Sequence, residues 1–313
     1  MHWLTDPYAY GFFKMGLRAG ILGGALCGFV GVYVVLRRMS YIGHGLSHAV
    51  FGGAAVSYVV AAAFATGVST AAGGAAASSV GWSYYLGAGA AGLLSALLIN
   101  AVARRRKIGA DAAIGVVTMA AFALGVALIT GTHIGVNLNA LLFGNILGVT
   151  WTQLWVLVGV SVFAAGVVFL QYRQLLFATF DPEAADAYGI SSRWVDVVFA
   201  LMLAATVVAA MQSLGVTLIA ATIVVPAVIA RLLTDSFAKM LLLSTLMGGT
   251  AGAVGMYVSY HLNIPPGSAI VLFLAGVFAV VYVVTGLTAR RRLLVLGGLD
   301  EHGELGSGAV GSG

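Results

Sequence analysis

Long apolar runs alternate with short polar stretches along almost the whole chain. Runs of about 20 apolar residues are long enough to cross a bilayer as α-helices. By that criterion the sequence predicts nine membrane-spanning helices, or eight if one apolar stretch is re-entrant, at 17–36, 46–66, 83–103, 112–131, 152–171, 194–212, 214–231, 238–258 and 267–288. We therefore expect an all-α polytopic membrane protein, with a single transmembrane domain at 1–290 and a disordered cytoplasmic tail at 291–313.

Small residues within these runs indicate how the helices pack. The chain contains 43 glycines, and the spacings Gly24/Gly28 and Gly248/Gly252 place small residues on one face of a helix. In a bilayer such spacings let two helix backbones approach closely. The runs 194–212 and 214–231 are separated by so few residues that a tight helical hairpin is expected between them.

Composition excludes a water-soluble globule. The sequence is 61% hydrophobic and only 8% charged, whereas soluble domains carry about 25% charged residues to keep their surface wet. Its formal charge of +5 comes without long basic or acidic runs, which argues against nucleic acid as a partner. The bilayer is therefore the expected surrounding of most of the chain.

The basic residues predict the orientation in the membrane. They cluster in alternate loops, as the positive-inside rule requires, if the N-terminus is outside and the C-terminus is in the cytoplasm. The opposite loops, 67–82, 132–151 and 259–266, contain no Lys or Arg. Lys14 and Arg18 are exceptions, on an N-terminal helix expected at the interface. The residues that follow the rule are Arg37, Arg38, Arg104, Arg105, Arg106, Lys107, Arg173, Arg193, Arg231, Lys239, Arg290, Arg291 and Arg292.

A pair of histidines is the strongest candidate for chemistry. His44 and His48 lie at the start of an apolar run, four residues apart, so that a helix would project both rings from one face. Ionisable side chains in a membrane span point to function, and two neutral imidazoles suit a borderline divalent metal ion. Two ligands fit a transport site that must release its ion. The alternative is that both histidines bond only to backbone or water.

Three polar residues in the opposite loops are weaker candidates. His133, His261 and Asn263 lie where an incoming cation would first bind at the outer face. Single loop histidines are more often only solvated, so both interpretations stay open.

The loop from Phe177 to Trp194 predicts a short surface helix. Asp181 is a suitable N-cap, with Pro182 at the first helical position and Glu183 near the positive end of the helix dipole. Gly189 is a natural helix stop. Such a helix could dock a partner, or it could be an ordinary connection between spans.

The sequence gives little support to an enzymatic activity or to proton-coupled transport. The sequence lacks a G-x-x-x-x-G-K-[ST] loop, so ATP cannot bind by that route, and it lacks the Ser-His-Asp and H-E-x-x-H patterns of hydrolases. All Asp and Glu residues fall at span ends or in loops. This weakens a proton-coupled carrier, which usually needs a buried carboxylate, although histidine can also shuttle protons.

Several blocks of the chain, in order, resemble the membrane permeases of ABC importers for zinc, manganese and iron. The similarity covers about 17–288 and is carried by R-R-M-S-Y-I-G-H-G-L-S-H-A at 37–49, D-A-A-I-G-V-V at 111–117, L-L-F-G-N-I-L at 141–147, F-D-P-E-A-A-D-A-Y-G at 180–189, L-I-A-A-T-I-V-V-P-A at 218–227 and S-Y-H-L-N-I-P-P-G-S-A-I at 259–270.

The resemblance implies a homodimeric permease, in a prokaryotic plasma membrane, that docks two separate ATPase subunits and receives metal from an extracytoplasmic binding protein. Its fold is expected to be similar to that of cobalamin and siderophore permeases. The resemblance also implies an ATPase-coupling helix made of Asp181, Pro182, Glu183, Ala184, Ala185, Asp186, Tyr188 and Gly189.

The resemblance implies that His44 and His48 handle the metal, which is a substrate and not a permanently bound cofactor. Members of that family usually carry Asp and His at these two positions, and here the Asp is replaced by His44. Loss of a carboxylate disfavours Mn²⁺ relative to Zn²⁺, while Fe²⁺ stays open. The alternatives are a permease for a metal chelate, such as a siderophore or cobalamin, and a proton-coupled cation carrier.

Overall fold

The computed structural model describes residues 8, 10–37, 40–68, 85–95, 98, 110–131, 142–180, 185 and 188–307. In these ranges the chain is helical, apart from short connections and caps, and contains no β-strand. The predicted all-α class is confirmed. The α-helices are α1 (Gly11–Leu36), α2 (Ser40–Val68), α3 (Tyr85–Ser95), α4 (Ala110–Gly131), α5 (Trp151–Leu170), α6 (Tyr172–Phe180), α7 (Ser192–Leu214), α8 (Val216–Leu233), α9 (Phe237–Leu262) and α10 (Pro266–Ser307).

Seven of these helices, among the described residues, are long and apolar enough to cross a membrane. They lie at Gly11–Leu36, Ile114–Gly131, Trp151–Leu170, Trp194–Leu214, Val216–Leu233, Phe237–Leu262 and Pro266–Thr288. The predicted span 46–66 lies within the helix α2. The predicted span 83–103 is described only in part, as the shorter apolar helix α3. The chain is a multi-pass membrane protein, and the predicted count of nine spans is not confirmed.

The helix α1 is the centre of the bundle and packs against α5, α7, α8 and α9. Its closest partner is α9, which runs antiparallel to it. Gly20 faces Gly252, and a Cβ atom at Gly20 would lie 3.2 Å from the Gly252 carbonyl oxygen. Further along, the Ser244 hydroxyl donates to the carbonyl oxygen of Gly28 at 2.5 Å. The predicted close approach of small residues is confirmed, and it fixes the register of the two helices.

The hairpin between α7 and α8 turns on one residue. Gly215 has φ 86° and ψ 151°, a backbone conformation that only glycine adopts readily. The helix α7 begins near the end of α1 and finishes with Leu214 opposite Gly23, and α8 then returns to bring Ala227 beside Gly31. The tight hairpin predicted at this point is confirmed.

The last helix extends beyond the predicted end of the membrane domain. The helix α10 continues to Ser307, so that 291–307 of the predicted disordered tail is helical in the structure. The prediction rested on the glycines after 296, but Leu, Arg and Glu are also frequent here, and these residues favour helix. Residues 308–313 lie outside the described part of the chain.

Candidate metal site

The two histidines of the predicted pair lie on the first turns of α2. Their ring centroids are 4.4 Å apart with an interplanar angle of 51°. His48 is buried, with 7% of its surface exposed, and His44 is half-buried. At 1.5 Å per residue the two residues lie about 6 and about 12 Å along the axis from Ser40. The prediction that both rings project from one helix face is confirmed.

A backbone hydrogen bond sets the orientation of the His48 ring. Its Nδ1 atom lies 3.0 Å from the carbonyl oxygen of His44, and the Ser47 hydroxyl donates to the same oxygen at 2.7 Å. A carbonyl oxygen only accepts, so this contact requires a proton on Nδ1. In the neutral ring the lone pair is then on Nε2, which is the atom available to a metal ion.

The wall of the site on the α4 side is apolar. The ring of Phe122 lies 4.7 Å from that of His48, and Phe51 packs on Phe122 at 5.1 Å between centroids. At Gly45 the two helices are in tight contact, since a Cβ atom there would lie 2.5 Å from Ile114 Cγ2 and 3.0 Å from Thr118 Cγ2. These neighbours hold α2 in place, and none of them is a His, Cys, Asp or Glu side chain.

The pair alone supplies two ligands. Among the described residues there is no group of three or more His, Cys, Asp or Glu side chains that could hold a metal ion. The cysteine, Cys27, is buried in α1. A structural metal site usually has four protein ligands, so this arrangement fits an ion that binds briefly.

The structure separates the outer-face candidates from this pair. His261 is half-buried near the end of α9, with its ring 5.3 Å from that of Tyr260. Asn263 is exposed and forms the left-handed C-cap of the same helix, a structural role. Because α9 is antiparallel to α1, this end of α9 lies at the opposite end of the bundle from the start of α2. His133 lies outside the described residues.

The predicted coupling helix is described only at its end. Gly189 has φ 78°, and the backbone N–H of Ile190 donates to the Ala185 carbonyl at 2.9 Å. This is the hydrogen bond of a Schellman motif, so the helix stop predicted at Gly189 is present. Ala185 is buried and Tyr188 is 78% exposed. The other predicted members, Asp181, Pro182, Glu183, Ala184 and Asp186, lie outside the described residues.

Sequence analysis missed a polar cluster centred on Gln212, near the end of α7. The Gln212 side-chain oxygen accepts from Tyr85 Oη at 3.1 Å and from Gln153 Nε2 at 2.5 Å. Its backbone carbonyl accepts from the Asn145 N–H at 3.2 Å. The signal available in the sequence was the polar Gln212 side chain between two apolar runs. Its partners could not be predicted, because Tyr85, Asn145 and Gln153 are distant from it in the sequence.

Comparison with known proteins identifies what the chain is similar to. The family described as "ABC 3 transport family" matches residues 9–285. The manganese transport system membrane protein MntC of Halalkalibacterium halodurans is 35% identical over 275 residues, which covers 88% of this chain and 87% of that protein. The family resemblance predicted from the sequence is confirmed.

Two solved structures have a similar fold. The structure described as PsaBC from Streptococcus pneumoniae in complex with Fab superposes with a TM-score of 0.78 at 31% identity, over 90% of this chain and 94% of that one. An inward-facing transporter described as of the metal-chelate ABC type superposes with a TM-score of 0.61 at 16% identity, over 86% and 85% of the two chains. At 16% identity the second match shows a similar fold and nothing about function.

Proposed function

Because this chain belongs to the ABC 3 transport family, we propose that it is the membrane permease of an ATP-driven importer of a divalent transition-metal ion. The observation that carries the proposal is the imidazole pair of His44 and His48, with ring centroids 4.4 Å apart on the face of a packed helix. The name of the relative MntC, a manganese transport system membrane protein, supports a metal ion as the substrate.

The proposed assembly contains two copies of this chain, two ATPase subunits and an extracytoplasmic metal-binding protein. ATP is hydrolysed on the separate ATPase subunits, since this chain has no phosphate-binding G-x-x-x-x-G-K-[ST] loop. The segment 181–189 docks the ATPase, and the exposed Tyr188 at its end is a suitable contact. The segment lies in the cytoplasm, with the N-terminus of the chain outside and the C-terminus inside.

The proposed mechanism is alternating access. Closure of the ATPase subunits moves the segment 181–189 and tilts the helices around the dimer axis. The ion is released by the binding protein, reaches Nε2 of His48 and the ring of His44, and leaves toward the cytoplasm. A site with two protein ligands holds the ion weakly enough for it to continue.

The pair also bears on metal preference. Neutral imidazole suits Zn²⁺ and Fe²⁺, whereas a carboxylate suits the harder Mn²⁺. Replacing His44 with Asp should therefore raise the uptake of Mn²⁺ relative to Zn²⁺. This comparison does not depend on which of the three ions is the natural substrate.

ATP-dependent uptake in liposomes tests the proposal. The chain is reconstituted with its ATPase and binding protein, and Zn²⁺, Mn²⁺ and Fe²⁺ are compared in the parent and in the variants His44→Asp, His44→Ala and His48→Ala. We expect both alanine variants, at parental expression, to lose at least about tenfold in uptake, because loss of even a group that only orients a metal ligand typically costs about 10–100-fold in metal affinity or activity. A parental rate in either alanine variant would remove the pair from the pathway.

A further arm of the same experiment separates the alternatives. Uptake that needs a proton gradient and no ATP would identify a carrier. Uptake only of a chelated metal, insensitive to both histidine substitutions, would identify a permease for a larger substrate. If His44→Asp leaves the Mn²⁺ to Zn²⁺ ratio unchanged, selectivity resides in the binding protein.

A further inference from the structure

Arg37 is a buried cation that joins three helices. It is the C-cap of α1, and its side chain is only 7% exposed. Its Nη1 atom lies 2.7 Å from Oδ1 of Asp196, near the start of α7. Its Nε atom donates to Oγ1 of Thr179, in the last turn of α6, at 3.4 Å. The guanidinium carbon lies 4.8 Å from the centroid of the Phe199 ring.

The partners of Arg37 lie on either side of the segment 181–189 in the sequence. Thr179 comes just before the segment 181–189, and Asp196 comes shortly after it. Arg37 itself comes just before α2, which carries His44 and His48. One side chain therefore contacts both flanks of the proposed docking segment and stands at the start of the helix with the metal pair.

The guanidinium of Arg37 binds its partners in fixed directions. A guanidinium removed from water needs its partners to offset the lost hydration, and its planar fork holds them at fixed angles. The aromatic face of Phe199 adds a cation–π contact. The hydroxyl of Thr179 donates to the Leu175 carbonyl at 2.5 Å, which leaves its oxygen free to accept from Arg37. Displacing either flank of the segment alone would leave a buried charge poorly paired.

A second set of contacts ties α6 to α1. The ring of Phe237, at the start of α9, lies 5.4 Å from that of Tyr33 in α1 and 5.6 Å from that of Tyr172 in α6. The helix α6 is therefore linked to the end of α1 at its first residue through aromatic rings and at its last turn through Arg37. The short helix is held at both of its ends.

An ordinary surface ion pair in the same protein shows the difference. Arg231 pairs with Asp235 at 3.3 Å, one turn away in sequence, and both side chains are exposed, at 46% and 96%. Such a pair contributes little and links nothing distant. The pair of Arg37 and Asp196 spans 159 residues, and its arginine is only 7% exposed, although Asp196 is 64% exposed.

We propose that Arg37 is a positioning residue that transmits movement of the segment 181–189 to α2, and so couples ATP hydrolysis to displacement of His44 and His48. This inference rests on the proposed function. It assigns to Arg37 a role in coupling, without contact between Arg37 and the metal ion.

The test compares metal transported per ATP hydrolysed in the reconstituted importer. The variants are Arg37→Ala, Arg37→Lys, Thr179→Val and Asp196→Asn, with Arg231→Ala as the matched control. In Arg37→Ala we expect ATP hydrolysis to continue while the transport ratio falls at least about fivefold, the lower range of measured coupling between sites. Arg37→Lys keeps the charge and should recover part of the ratio, and Arg231→Ala should equal the parent.

Hydrogen exchange on the purified permease provides a readout that needs no transport. We expect the backbone amides at 40–48 to exchange faster in Arg37→Ala than in the parent, and to be unaffected in Arg231→Ala. If Arg37→Ala fails to fold, Arg37→Lys and Thr179→Val are compared with the parent instead. The lysine lacks the planar guanidinium, and the valine lacks the hydroxyl oxygen that accepts from Arg37 Nε.

The outcomes distinguish the two proposals. If the parent importer shows no ATP-dependent metal uptake, the proposed function is wrong and the coupling role is lost with it. If the parent transports and the Arg37 variants keep its ratio of metal to ATP, the coupling role alone is overturned. Equal losses of hydrolysis and uptake, with faster exchange throughout the permease and not only at 40–48, would assign Arg37 to general stability and also overturn the coupling role.

Discussion

Gly24 of α1 and Gly248 of α9 are in direct backbone contact, with no side chain between the two helices. A Cβ atom on Gly24 would lie 2.9 Å from the carbonyl carbon of Gly248 and still closer to its oxygen. Backbone atoms cannot move aside as a flexible side chain can. The central helix pair of the bundle is therefore intolerant of even one added methyl group at this point.

Gly24→Ala should lower the thermal stability of the purified permease. Overpacking of this kind typically costs about 1–3 kcal/mol, which outweighs the gain in helix propensity of about 1 kcal/mol from Gly to Ala. The matched control is Gly159→Ala in α5, where a Cβ atom would meet nothing within 4 Å. Unfolding in detergent, followed by circular dichroism, should show a lower Tm for the first variant only. Equal Tm values for both would mean that the α1–α9 contact is looser than described.

Gly215→Ala should be much more damaging than Gly189→Ala, although both glycines have positive φ, 86° and 78°. A backbone with positive φ alone costs a non-glycine residue about 1–3 kcal/mol. At Gly189 a Cβ atom would meet nothing within 4 Å, whereas at Gly215 it would lie 2.5 Å from the Leu142 carbonyl oxygen. We expect Gly215→Ala to reduce the folded yield after membrane extraction and Gly189→Ala to keep it. Similar yields would show that the tight hairpin can relax.

Ser47→Ala should retain most metal uptake, whereas His48→Ala should reduce it at least about tenfold. Ser47 donates to the His44 carbonyl at 2.7 Å, and His48 Nδ1 contacts the same oxygen at 3.0 Å. Removing the hydroxyl costs about 1 kcal/mol of stability, but both imidazole rings and the bond that orients His48 stay in place. The measurement is ATP-dependent uptake at matched expression. A loss in Ser47→Ala as large as in His48→Ala would indicate that the Ser47 hydroxyl is as important for uptake as the His48 ring.

Gln212→Leu should destabilise the packing of α7 against α3 and α5. The substitution removes the acceptor shared by Tyr85 Oη and Gln153 Nε2. The loss of each of these hydrogen bonds costs about 1 kcal/mol. We expect a lower Tm, and faster proteolysis of the permease in detergent. Gln212→Glu preserves the acceptor oxygens and serves as the control. A parental Tm in Gln212→Leu would show that water replaces the amide oxygen.

The local features of the chain were predictable. Of the nine spans predicted from apolar runs, seven coincide with helices of membrane-spanning length in the described part of the chain, and the four-residue spacing of His44 and His48 anticipated rings on one face. The stop at Gly189 and the hairpin near Gly215 also followed from residue type. Each depends on neighbours within a few turns, where helix geometry and glycine conformation leave few alternatives.

The candidate site was predictable only in part. Spacing pointed to the histidine pair, but it did not reveal the bond from His48 Nδ1 to the His44 carbonyl, which leaves Nε2 for the metal. Nor did it reveal Phe122 as the neighbour of His48, because Phe122 belongs to another helix. In the sequence His261 and Asn263 look similar to the pair as cation ligands, yet they lie at the other end of the bundle, and Asn263 caps a helix.

The amino-acid sequence was sufficient for the membrane class, the family and the placement of His44 and His48 on one helix face, because these follow from hydropathy, short motifs and contacts within a single helix. The register of α1 on α9, the polar cluster of Gln212 and the contact of Arg37 with Asp196 required the packed structure. Arg37 and Asp196 are 159 residues apart, and on sequence grounds each resembled an ordinary charged residue at the end of a span. Only the packing of α1, α6 and α7 buries the Arg37 side chain and brings Thr179, Asp196 and Phe199 into contact with it, because these residues are distant from Arg37 in the sequence.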